Sequence, residues 1–207
     1  MSSAAQRVRW REERESTRHQ IIAAADRFLR NRPFRELSVE AVMDGTGLTR
    51  TAFYRHFDDL TDLVLRVFAA VGLELYAVAE RWSSDAGAGY PGPAVAGLAG
   101  MVDFFVRHGR VVQAIVDAAA SDEQIERAYR AARESYIEVA AKTLDRLAEQ
   151  RRIVVPDATA MARALVLMSE TYLLDQFGRE PLGDRELARA TLATVWLRAA
   201  GPQAGVP

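Results

Sequence analysis

The richest set of hydrogen-bonding side chains lies in eleven residues, GLTRTAFYRHF at 47–57. Wound as a helix beginning after Thr49, this stretch puts Phe53 and Phe57 one turn apart on one side. Thr51, Tyr54 and Arg55 take the opposite side, with Arg50 and His56 on the flanks. A short surface helix needs only its apolar stripe as an anchor, and its outer face is ordinarily Glu and Lys. Here that face carries a hydroxyl, a phenol, an imidazole and two guanidiniums. The chemistry it can do is hydrogen bonding to acceptor-rich, anionic groups.

Two elements upstream must position that face. Thr17 begins T-R-H-Q, a capping-box pattern, followed by Ile21, Ala25, Phe28 and Leu29 at helical spacing and stopped by Pro33. Ser38 then caps a short helix, SVEAVMD, with Val39, Val42 and Met43 inward; Gly45 ends it, and the turn GTG leads into 47–57. Asp58 and Asp59 offer an N-cap to a longer fourth helix with the stripe Leu60, Leu63, Val64, Val67, Phe68, Val71 and Leu75, reaching about Trp82. Two short helices joined by a Gly-containing turn and supported by a third make a helix-turn-helix, whose second helix enters the major groove of DNA. In that setting Arg50 and Thr51 reach base edges, Thr49 caps the helix or bonds a phosphate, and Tyr54, His56 and Ser38 suit phosphate oxygens; the alternative is a solvated helix that is merely polar outside, in a helix-turn-helix used for packing.

Composition agrees with this division. The 207 residues are 49% hydrophobic, enough for a sizeable core, and contain no cysteine, which excludes disulfides, thiolate metal sites and a thiol nucleophile. The net charge of −1 divides unevenly: residues 1–57 hold eleven Arg against seven Asp or Glu, a balance of +4, and the remainder carries −5. No charge-free apolar run has the length of a membrane span, and the N-terminus lacks the apolar segment of a secretory signal, so the expected location is the cytoplasm. The leading residues 1–16 read as a flexible arm bearing Arg7, Arg9, Arg11 and Arg14, either a DNA contact or a solvated tail alongside Glu12, Glu13 and Glu15.

Beyond the head the chain reads as all-α, about nine helices in total. SSDAGAGYPGP at 83–93 marks a loop. Helices are expected at about 94–108 and 110–120, from a capping box at Ser121 to Arg151, from Pro156 and Asp157 to Gly178, and from Asp184 to about Ala200, with GPQAGVP as a frayed tail. ALVLMSETYLLDQF is apolar around nearly its whole circumference, so it is buried on more than one side. Within it Ser169, Glu170 and Thr171 form a polar island: Glu170 either lines a pocket, faces solvent or pairs with an Arg.

The run SVEAVMDGTGLTRTAFYRHFDDLTDLV resembles the DNA-binding head of the TetR family of transcriptional regulators, with T/S at the start of helix two, a G-x-S/T turn and F/L-Y-x-H/Y-F across the recognition helix. The resemblance covers about residues 17–68 and carries Ser38, Thr49, Arg50, Thr51, Tyr54 and His56 over as DNA contacts. One departure is that Leu60 stands where the family commonly has a phosphate-touching Lys, next to two aspartates that repel phosphate. The implied domains are the arm (1–16), the head (17–58) and a ligand-binding and dimerisation body (59–207). The implied partners are double-stranded DNA, a small-molecule effector and a second copy joined through the last two helices. Within the family, GMVDFF, LMSE and the late Trp196 resemble the ethionamide-activation repressor subgroup, which has a long, largely apolar pocket. By position that pocket would be lined by Gly100, Phe104, Tyr129, Tyr136, Val166, Ser169, Glu170 and Trp196. Arg133 and tyrosines, where the subgroup is most aromatic, imply a more polar ligand. No cofactor or metal is implied.

An enzyme is the rival class. His19, His56 and His108 fall in three different helices, none at a ligand or catalytic spacing, and His108 reads as a helix C-terminal cap. GAGYPG at 87–92 satisfies G-x-G-x-x-G literally but follows a helix and contains Pro91, so it reads as a linker. A helical scaffold that binds protein is the second rival. It would keep the bundle but would not need the outer face of residues 50–56.

Overall fold

The structure, a computed structural model, describes residues 2–85 and 91–199. Among them are eight α-helices and no strand: α1 (Ser2–Asn31), α2 (Val39–Asp44), α3 (Arg50–Tyr54), α4 (Leu60–Asp85), α5 (Gly92–Ala119), α6 (Glu123–Glu149), α7 (Ala158–Phe177) and α8 (Arg185–Ala199), with a single 3₁₀ turn at Phe34–Glu36. Most of the expected starts are capped as the sequence dictates. Ser38 accepts from the Ala41 amide, Thr49 from Ala52, Asp59 from Asp62, Asp157 from Ala160 and Asp184 from Leu187. Each cap satisfies one amide that the first helical turn leaves without a partner.

Three expectations are corrected. The first helix does not begin at Thr17: α1 runs through the arm, and the Thr17 hydroxyl donates back to the Glu13 carbonyl as a mid-helix residue does. Ser121 is not the cap of α6; Asp122 is, accepting from the amides of Gln124 and Ile125. The helices expected at 94–108 and 110–120 are one, because Gly109 is a packing residue and not a stop. A Cβ there would lie 2.5 Å from the Phe177 carbonyl oxygen, so the absent side chain is what lets α5 and α7 approach. Gly109→Ala is expected to destabilise the protein by about 2 kcal/mol through that collision, measured as a fall in urea midpoint. The GPQAGVP tail and the centre of the 83–93 loop lie outside the described residues.

The core is continuous from head to body. Ile21, Ala25 and Leu29 of α1 enclose Val42 and Met43 of α2 and Phe53 and Phe57 of the α3 segment, all nearly or fully buried. Leu63 and Val64 at the start of α4 close this group, and the same cluster runs on through Val67 and Val71 to Val102 and Ile115 of α5 and Phe177 of α7. A second cluster joins α6, α7 and α8 through Ile137, Leu144, Ala162 and Trp196. α4 is therefore shared: its first turns complete the head and its later turns form a wall of the body. Gly47, at φ 70°, takes the left-handed conformation in the turn between α2 and α3, where a side chain would be strained.

Candidate functional site

The head presents the polar face that the sequence describes. Thr51, Arg50, Tyr54 and Arg55 are exposed, whereas Phe53 and Phe57 are buried at 0% and 2%. α3 is only five residues long, and the amide of Phe57 still bonds the Phe53 carbonyl at 3.0 Å beyond its end. Arg50 donates to the Tyr54 hydroxyl at 3.2 Å with its guanidinium 5.7 Å from the ring, so the two outermost groups hold each other in place. Ser38 and Thr49 spend one oxygen lone pair on capping and keep their hydroxyl protons free to donate.

His56 stands in a cationic surround. Burial pulls its pKa below the ordinary 6.5, and the charges of Arg14, Arg18 and Arg55 pull it further the same way. Its imidazole is neutral at physiological pH in the free protein. The unfolded chain takes up this proton near the ordinary value and the folded chain only lower, so stability falls as pH drops below about 6.5. His56→Gln is expected to remove that part of the acid sensitivity, and urea unfolding of both proteins between about pH 7 and pH 5 measures it.

The body encloses a cavity of about 130 Å³. Its walls are Phe68, Val71, Gly72, Leu75 and Val78 from α4, Gly97, Met101, Phe104 and Phe105 from α5, Tyr129, Arg133 and Tyr136 from α6, Val166 and Glu170 from α7, and Trp196 from α8. Of the eight residues expected there, six line it. Gly100 does not: it packs against Val78, whose Cγ1 would be 3.1 Å from a Cβ at that position. Ser169 does not either; it is buried and accepts the indole N–H of Trp196 at 2.9 Å, fixing the ring that does form a wall. The contribution of α4 was missed, because Phe68, Val71 and Leu75 read equally well as plain core. Gly72, interrupting that stripe, was the one signal available.

One polar station interrupts the apolar lining. Arg133 makes a two-pronged pair with Glu170, Nε to Oε2 at 2.8 Å and Nη2 to Oε1 at 2.9 Å. The Tyr129 hydroxyl also donates to Glu170, and the Arg133 guanidinium lies 4.9 Å from the Tyr129 ring centre. Burial and then the Glu170 charge push the Tyr129 pKa well up, so the phenol stays a donor. The Glu170 hydrogen bond likewise raises Arg133. Two of the alternatives for Glu170 thus hold together: it pairs with an Arg and it faces the cavity. One turn further along α6 from Arg133, the Tyr136 hydroxyl donates to the Gly72 carbonyl at 3.2 Å, and burial pushes its pKa up to about 12.

His108 is not a terminal cap. It lies inside α5 with Nε2 2.8 Å from Glu74 of α4 and Nδ1 2.9 Å from the Arg30 guanidinium of α1. Arg30 can only donate, so Nδ1 accepts and Nε2 carries the proton toward Glu74. Among the described residues no group of His, Asp and Glu is placed to hold a metal, and no helix is long and apolar enough to cross a membrane.

Comparison with known proteins agrees with this layout. The family profile described as the C-terminal domain of the transcriptional regulator EthR matches residues 95–200, and that of the bacterial regulatory proteins of the tetR family matches residues 21–67. The HTH-type transcriptional regulator EthR of Mycobacterium tuberculosis H37Rv is 27% identical over 185 residues, covering 86% of this chain and 83% of that protein. Among solved structures, the TetR family regulator PfmR of Thermus thermophilus superposes with a TM-score of 0.72 at 19% identity, over 87% of this chain and 98% of that one. NalD of Pseudomonas aeruginosa, the secondary repressor of a multidrug efflux pump, superposes with a TM-score of 0.65 at 22% identity, over 91% and 97%. The chain belongs to the TetR family of DNA-binding transcriptional regulators, with a body of the EthR C-terminal type.

Proposed function

We propose that this protein is a ligand-released repressor that binds a two-fold symmetric DNA operator as a homodimer. The observation that carries the reading is the double membership of α4. Leu63 and Val64 pack in the head, and Phe68, Val71, Gly72 and Leu75 wall the cavity. A second link ties the base of the head to α6: the Thr61 hydroxyl donates to Asp122, the cap of α6, at 2.5 Å. α6 in turn carries Tyr129, Arg133 and Tyr136 into the cavity. An effector that shifts α4 or α6 therefore moves the head, and operator and effector weaken each other by the same factor. In this reading the head, residues 17–58, recognises DNA through Ser38, Thr49, Arg50, Thr51, Tyr54, Arg55 and His56. The body, residues 59–207, holds a small, largely apolar effector with one polar group that meets Arg133, Glu170 and Tyr129.

Dimerisation through α7 and α8 is supported by apolar side chains that the fold leaves outside. Leu167 is 37% exposed and Leu187 63%. Leu167→Glu is expected to halve the mass seen in light scattering, since it would place a carboxylate in an apolar contact. A variant that keeps the mass of two chains would remove α7 from the interface.

Selection of bound duplexes from a random pool by the full-length protein tests the whole reading. Recovery of a two-fold symmetric sequence, released when an effector fills the cavity, is the expected result. A cavity ligand that leaves operator affinity unchanged would sink the coupling, and enrichment of no sequence would favour a helical scaffold.

A further inference from the structure

Arg7, Arg11, Arg14 and Arg18 recur at intervals of four, three and four residues, and α1 is continuous through all of them. At 3.6 residues per turn they fall within about 60° of arc, one straight stripe along the helix. Every residue from Gln6 to Ser16 is exposed, so this stretch is not packed into the core of its own chain. Arg9 and Glu13 lie away from the stripe and face each other 3.6 Å apart.

The inner end of the stripe joins the recognition element. Arg14 donates to the carbonyl of Arg55, the residue ending α3, at 3.5 Å. The Arg18 guanidinium lies 6.0 Å from the Phe57 ring, and its Nε is shielded from solvent with no acceptor among the described residues. The same charges depress His56. Arg14, Arg18 and Arg55 thus form a cationic cluster beside α3, and Arg11 and Arg7 extend it outward by roughly 10 Å at 1.5 Å per residue.

We infer that the N-terminal part of α1 is a second DNA-binding element, a rigid arginine stripe that lies on the phosphate backbone flanking the base pairs read by α3. The inference rests on α3 being the DNA reader. It supplies the phosphate contact that Leu60, Asp58 and Asp59 cannot make at the start of α4. The occupant is a phosphate backbone, because the stripe consists only of guanidiniums, continues a DNA-facing cluster and has nothing base-sized to read. A helix in register differs from a loose basic tail in one respect: which arginine is removed matters, not only how many.

Binding of the full-length protein to the selected duplex, carrying about ten base pairs of arbitrary flank on each side, is measured against salt for wild type, Arg7→Ala/Arg11→Ala and Arg9→Ala. The double variant is expected to weaken binding by on the order of tenfold and to flatten the salt slope by about 3 to 4, four arginines being lost per dimer. Arg9→Ala, off the stripe, is expected to leave both nearly unchanged. An unchanged slope in the double variant overturns the inference, and so does an Arg9→Ala loss per arginine equal to that of the stripe. Failure of the wild type to retain any duplex would bring down the DNA reading itself, and the stripe with it. Arg7, Arg9 and Arg11 are all exposed and outside the core, so misfolding does not confound the result.

Discussion

Replacing Arg50 by Ala and Tyr54 by Phe together is expected to lower operator affinity by on the order of a thousand-fold. A two-pronged arginine contact to a base carries about 1–3 kcal/mol of discrimination, and a phenol on a phosphate contributes about another 1 kcal/mol. Both act twice in a dimer. The fold should not register the change. Tyr54 is 51% exposed, Phe retains the ring that meets Phe53 edge-on at 5.2 Å, and the Arg50–Tyr54 bond lies on the surface, where its net worth is small. The thermal transition of the variant should match the wild type. Arg50→Ala alone should also relax base preference, whereas Tyr54→Phe alone should weaken all sequences alike. A variant that binds the selected duplex as tightly as wild type would refute the assignment of α3 as the reader. The scaffold alternative predicts that outcome.

The head was legible in the sequence because its signals are local and dense. Caps at Ser38 and Thr49, a turn glycine and two phenylalanines a turn apart leave one arrangement that buries Phe53 and Phe57 while exposing Arg50 and Tyr54. Where the reading failed, a local signal was outweighed by something distant. Thr17 heads a valid capping box, but the residues before it are good helix formers with an Arg9–Glu13 pair, so α1 simply continues. Gly109 resembles a stop until Phe177, sixty-eight residues away, is seen pressing on it. The cavity was legible in its α6, α7 and α8 walls, where aromatics and a lone Glu break an apolar pattern. It was illegible in α4, because a stripe that packs and a stripe that lines a void have the same period. Gly97 and Gly100 show the limit most plainly: two glycines three apart on one helix, one facing the cavity and the other filled by Val78.

The polar station tests whether the cavity was built for stability or for a ligand. Glu170→Ala is expected to destabilise the body by about 3 kcal/mol, since it leaves the Arg133 guanidinium without its carboxylate and the Tyr129 hydroxyl without its acceptor. The figure is taken at the low end of what such removals cost, because the Arg133 side chain is 31% exposed and water can partly replace the partner. In a Tyr129→Phe background, which leaves no hydroxyl short of its acceptor, Arg133→Leu/Glu170→Leu removes both charges together and is expected to restore stability to within about 1 kcal/mol of wild type or above it, as apolar replacement of a desolvated pair generally does. Urea unfolding of the wild type, Glu170→Ala and the double variant measures both effects. If the double variant is as stable as expected and still binds the operator, the triad contributes nothing that the fold requires. Its retention in an otherwise apolar cavity is then explained by the effector. The double variant should accordingly remain on the operator at effector concentrations that release the wild type. A double variant as unstable as Glu170→Ala would reverse the conclusion, making the triad a structural clasp between α6 and α7 that the ligand merely passes.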